Sequence, residues 1–86
     1  MYTVIWLDET LDDFADLYLA ADPAGRGRMA AGVEALNRRL ATRPLDEGES
    51  REDDVRITFP ALLTVRFSVD LLADTVWVVT VERYGR

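Results

Sequence analysis

The chain changes its hydrophobic period near residue 54. Before that point apolar residues recur at helical spacing; after it they alternate, as on pleated strands. Charge divides at the same place. Residues 1–54 carry thirteen Asp and Glu against six Arg, whereas residues 55–86 carry three acids against four Arg. The first part reads as one strand and two helices, the second as three strands. A site for an anionic ligand is therefore implausible on the helical part and possible on the sheet part.

Eighty-six residues make one domain, spanning 1–86, without room for a second core. Hydrophobic residues make up 49% of it, with two Trp, three Tyr and three Phe, which suits a packed core and argues against disorder. The absence of Cys excludes disulfides and thiolate metal sites, and the absence of His removes the commonest general base and metal ligand. No cofactor or metal is expected. The N-terminus lacks the basic-then-apolar pattern of a signal peptide, and no apolar run approaches membrane-spanning length, so a cytoplasmic location is the expectation. All ten basic residues are Arg, which beside the many Ala, Asp, Leu and Val residues reads as GC-rich coding bias and not as a phosphate-binding signature.

Residues 2–7 are apolar almost throughout and predict a strand. Thr10 is placed to cap a helix, with Asp13 three residues later, and Leu11, Phe14, Leu17, Tyr18 and Ala21 fall on its apolar stripe. Asp12, Asp13 and Asp16 lie off that stripe, near the positive end of the helix, as a solvated face and not a calcium loop. Asp22-Pro23 caps and opens a second helix along Met29, Val33, Leu36 and Leu40, which Thr42-Arg43-Pro44 ends. Gly32 lies beside that stripe and is expected to let the two helices of an antiparallel hairpin approach closely. Residues 45–54 predict a charged loop, and residues 55–59, 62–70 and 75–84 three strands joined by links too short for parallel crossovers. The fold class is α+β: a strand, a helix hairpin, then a three-stranded antiparallel meander.

Alternation assigns the faces. Val55, Ile57 and Phe59 form one row, and Leu63, Val65, Phe67 and Val69 another; with both packed on the helices, Arg56 and Arg66 share the helix-free face. The last strand is apolar on both faces, which predicts a central position. Trp6 and Trp77 are expected in the core or against the helices. Leu71-Leu72 is unusual in a turn. Either it folds back onto the core, the preferred reading, or it meets a partner protein or a second copy.

This order of elements resembles the RelE/ParE toxin superfamily. Residues 2–6 with Leu11-Asp12-Asp13 and Leu17 resemble the opening strand and helix of that family. Leu40 to Leu45 and Gly48-Glu49-Ser50-Arg51 look like its helix-to-sheet junction, and Val55-Arg56-Ile57 and residues 65–70 like its middle strands. Residues 79–86, with Glu82-Arg83-Tyr84, look like its closing strand. The resemblance implies the toxin of a type II toxin–antitoxin pair, held inactive by a cognate antitoxin. It implies one of two activities: a RelE-like ribosome-dependent mRNA endonuclease, or a ParE-like inhibitor that binds DNA gyrase without chemistry. A solitary, non-toxic binding domain that keeps the fold is a third class, and a homodimer is a further partner state.

RNA cleavage by 2′-OH attack needs a base, an acid and charge stabilisation at the phosphate. Arg56 and Arg83 match the basic strand positions of the family, and Tyr84 could stack on a base or pass a proton; these are the candidate catalytic residues. Arg51 and Arg66 are candidate substrate-binding residues, and Glu49 and Glu82 the remaining candidate bases. The Lys and His of many RelE-like nucleases are absent. The alternative for any one Arg is a cross-strand salt pair, with Glu82 the nearest partner for Arg56 or Arg66.

Overall fold

The computed structural model describes residues 1–85, apart from the side chain of Asp53. Arg86, at the end of the closing segment, lies outside the described residues. β1 (Thr3–Trp6) leads into α1 (Asp8–Ala20) and α2 (Pro23–Thr42). β2 (Glu49–Ser50), β3 (Val55–Thr58), β4 (Leu63–Asp70) and β5 (Thr75–Arg83) follow. The strands form one five-stranded sheet in the order β1-β5-β4-β3-β2, with β1 parallel to β5 and the other pairs antiparallel. The meander is as expected and β5 is interior. Part of the expected 45–54 loop is instead the edge strand β2, flanked by tight helical turns at Pro44–Asp46 and Glu52–Asp54.

The core lies between the helices and one face of the sheet. Met29, Leu36 and Leu40 of α2 meet Leu63, Val65, Phe67, Val76, Val78 and Val81, with Phe14, Leu17 and Ala21 packed beside them. Each fully buried side chain of this kind contributes roughly 1.5–3 kcal/mol. Trp6 joins this layer: its ring lies 6.1 Å from Phe14, and its indole N–H donates to Asn37 Oδ1 at 2.9 Å. Among the described residues no helix is long and apolar enough to cross a membrane.

α2 starts where the sequence predicts. Asp22 Oδ1 accepts from the Gly25 N–H at 2.8 Å, and Pro23 occupies the first turn. α1 does not. It begins at Asp8, with no side-chain cap at Leu7, and Thr10 is buried inside its first turns. The Thr10 hydroxyl instead donates to the Val79 carbonyl at 2.7 Å. Val79 is the residue skipped where the β4–β5 register shifts, Arg66 facing Thr80 and Phe67 facing Val78. A buried polar side chain thus satisfies the backbone of a β-bulge. Leu11, expected on the buried stripe, is 49% exposed.

Gly32 also serves a different neighbour from the one expected. A Cβ there would stand 2.8 Å from the Ala61 Cβ, so its smallness admits the β3–β4 turn and not α1. Trp77 is not a core residue. It pairs with Ser68 and Ile5 on the helix-free side and is 36% exposed. Leu71 and Leu72 do not fold back, and both are exposed.

β3 presents the opposite face from the one its alternation predicts. Ile57 pairs with Arg66, and Arg56 with the buried core residue Phe67. Directly paired residues share a face, so Arg56 points to the helix side and Arg66 away from it. One residue of register, set by the turn through Pro60 and Ala61, reverses the whole row. Alternation within a strand carries no information about that offset.

Candidate functional site

The five predicted site residues fall into three places. Arg56 and Arg51 stand at the β2–β3 end of the sheet, Arg66 and Tyr84 on the helix-free side, and Arg83 at the far end beside α1.

Arg56 is consumed by the segment it anchors. Its Nε donates to the Glu47 carbonyl at 3.1 Å, Nη1 to Ser50 Oγ at 2.9 Å and Nη2 to the Gly48 carbonyl at 3.2 Å. A planar guanidinium suits three acceptors held in a fixed array. Gly48 is required for this path: its φ is +65°, and a Cβ there would collide with the Ile57 carbonyl. Arg51 lines the same cavity as Arg56, donates to the Ser50 carbonyl at 3.0 Å and lies 3.6 Å from Glu49.

Glu47 is the centre of this corner, and the sequence reading assigns it no role. Arg39 of α2 donates to its carboxylate from Nε at 2.7 Å and from Nη2 at 3.2 Å, and Thr58 donates its hydroxyl at 2.5 Å. Burial pushes the Glu47 carboxyl up, but the hydrogen bonds from Arg39 and Thr58 and the Arg39 charge outweigh it and hold the group below the ordinary carboxylate value. Hydrogen bonding to Glu47 raises Arg39 in turn, against the opposing effect of burial. The pair fastens α2 to β3 through the β2 segment. Its only sequence signal is a Glu beside a turn glycine, with no local partner to mark it.

On the helix-free side Arg66 Nη1 meets Glu82 Oε1 at 2.7 Å, the cross-strand pair that opposite charges on neighbouring strands favour. Both side chains are substantially exposed, so the pair adds little to stability. Tyr84 meets Phe59 edge-on, with ring centroids 5.3 Å apart at 79°. This aromatic pair escaped the sequence reading because the two residues are brought together only by the β3–β4–β5 register.

Arg83 pairs with Leu63 across the β4–β5 ladder, which turns it to the helix side. It lines an open groove with Asp13, Asp16, Leu17, Val81 and Glu82. Among the described residues it has no hydrogen-bond or ion-pair partner. The groove has an apolar floor and two helix carboxylates, Asp13 and Asp16, against one guanidinium, while the Glu82 carboxylate turns to the other face to meet Arg66; this setting favours cations over phosphate. The five exposed acids of α1, Asp8, Glu9, Asp12, Asp13 and Asp16, extend the same field.

Chemically, the arrangement offers two separate half-sites. The helix-free face presents a guanidinium already paired to a carboxylate, with an aromatic pair at its rim. The helix side presents Arg56, held in place through all three of its guanidinium nitrogens, and Arg83 among acids. One phosphate cannot lie against both sides of a sheet, so Arg56, Arg83 and Tyr84 are not brought together as one constellation.

Comparison with solved structures places the fold. A chain of the chromosomal ParDE TA system from P. aeruginosa matches with a TM-score of 0.68 at 16% identity, covering 96% of each chain. A chain of the archaeal RelE–RelB complex from Pyrococcus horikoshii OT3 matches with a TM-score of 0.57 at 15% identity, covering 99% of this chain and 97% of that one. No protein-family model matches the chain, and no curated protein does. The fold is thus that of the RelE/ParE proteins, as the order of elements in the sequence implies.

Proposed function

We propose that this chain is the toxin component of a type II toxin–antitoxin pair and that it acts by binding its target, not by cutting mRNA. The shared fold over nearly the whole chain supports the toxin assignment. The binding mode is carried by one observation: each guanidinium nitrogen of Arg56 is tied to its own segment, at Glu47, Ser50 and Gly48, while Arg83 and Tyr84 lie elsewhere. Phosphodiester cleavage needs its base, acid and charge stabiliser within hydrogen-bond reach of one phosphate. The acidic surface opposes docking on ribosomal RNA, whose binding is dominated by phosphate contacts.

A ParE-like target such as DNA gyrase fits an acidic binding surface. The cognate antitoxin is then expected to present a basic segment to α1 and to the groove at Asp13 and Asp16, since opposite charge speeds encounter and fixes register.

Two measurements test the reading. Induction in growing cells is expected to arrest growth, with relief by co-expression of a cognate antitoxin. Purified protein is expected to inhibit gyrase supercoiling in vitro. No inhibition at saturating protein removes gyrase as the target. No arrest on induction removes the toxin assignment and leaves a non-toxic binding domain.

A further inference from the structure

The β4–β5 turn carries Leu71 and Leu72 where polar residues are the rule. Leu71 is 57% exposed and Leu72 fully exposed. The turn is nonetheless built: Asp70 Oδ1 accepts from the backbone N–H groups of Leu72 and Ala73, each at 3.1 Å. Beside it lies a cavity of about 230 Å³ whose walls include Leu45, Val55, Val69 and Leu71, together with Arg51 and Asp54. A water occupies about 30 Å³ in the liquid, so the recess has room for a leucine side chain.

We propose that this patch is a contact between two copies of the chain, the Leu72 of each copy seating in the cavity of the other. A two-fold contact sets one patch against itself, so the patch must hold both a projection and a recess, and charges of both signs. This one holds Leu72, the cavity, Arg51 and Asp54. The exposed face of α1, with five acids, has one sign only and repels its own copy. Arg51 uses Nη1 on Ser50 and Glu49, and among the described residues its Nε and Nη2 have no partner to compete with the Asp54 of a second copy. An exposed leucine removed from water supplies the attraction, and the ion pairs fix the orientation. One turn and one cavity per copy make a small contact, so dissociation is expected at roughly 10–100 µM.

Sedimentation velocity of the full chain over a concentration series, up to about 1 mM, tests this. The expected result is a reversible monomer–dimer equilibrium. Leu72→Asp abolishes it without shifting the thermal midpoint, because the position is fully exposed. Arg51→Glu weakens it, and Arg51→Lys largely retains it. A wild-type chain that stays monomeric at the highest concentration overturns the proposal, as does a dimer that Leu72→Asp leaves intact. A monomeric wild type whose antitoxin binding is lost in Leu72→Asp assigns the patch to the antitoxin and equally overturns it.

Discussion

Ile57 stands opposite Arg66 across the β3–β4 ladder, so Arg56, one residue earlier, faces the helices. That single pairing separates the two arginines that a phosphate-binding sheet would need on one side. It makes Arg56 an anchor for the β2 segment and leaves Arg66 in an exposed cross-strand pair with Glu82.

Arg56→Ala is expected to destabilise the fold by about 1–3 kcal/mol, because it frees two backbone carbonyls and a serine hydroxyl from a charged donor. In a domain of this size each kcal/mol moves the thermal midpoint by roughly 4–8 °C. Arg56→Lys should recover little, since a point-like ammonium cannot meet three acceptors held in one array. Calorimetry reads both variants. An unchanged midpoint in Arg56→Ala combined with loss of growth arrest would instead make Arg56 a functional residue.

Glu47 predicts a pH dependence. Its carboxyl lies below the ordinary value in the folded protein, so its contribution is complete above the unfolded value of about 4.3 and is lost as pH falls through the lower folded value. Glu47→Gln should cost roughly 1.5–3 kcal/mol at neutral pH. The gap between the two proteins should narrow steadily below about pH 4, once the wild-type group begins to protonate. Urea unfolding at a series of pH values measures this gap. A gap that is constant with pH contradicts the assignment.

Much of the frame was legible because it depends on local chemistry. Asp22-Pro23 states a helix start, and the rows through Met29 and Leu36 and through Val65 and Phe67 state what is buried. What was hidden depends on contacts distant in sequence. Thr10 and Asp13 have the spacing of a capping pair, yet the Thr10 hydroxyl is taken by Val79, across a bulge that no local pattern announces. The face of Arg56 depends on the register that a turn imposes, and the partner of Glu47 lies on another element. Leu71 and Leu72 are odd in a turn on sequence alone, but their exposure follows from the length of the hairpin, which carries them beyond the core.

Gly32 and Ala61 should behave as a coupled pair. A Cβ at Gly32 would stand 2.8 Å from the Ala61 Cβ, and Ala61 already holds a φ of +51°. Gly32→Ala gains about 1 kcal/mol of helix propensity and loses roughly 1–3 kcal/mol to overpacking, for a net loss. Ala61→Gly removes the clashing methyl and suits the left-handed backbone, so adding it should turn Gly32→Ala into a net gain. A double-mutant cycle by chemical denaturation should show favourable coupling; additive effects would contradict the contact.

Thr10→Val keeps the shape of the side chain and removes its hydroxyl. The Val79 carbonyl then stays buried without this donor, at a cost of about 1–3 kcal/mol. Hydrogen exchange should show faster opening of amides around the β5 bulge than in the wild type. Equal stability of the two proteins would mean that the hydroxyl does not hold the bulge.

A toxin that binds and does not cut leaves mRNA intact, which a map of mRNA 5′ ends across the transcriptome shortly after induction in growing cells reads out. Growth arrest with no new ends in phase with codons is the expected result. New codon-phased ends that disappear in Arg83→Ala or Tyr84→Phe would contradict it and establish a ribosome-dependent nuclease.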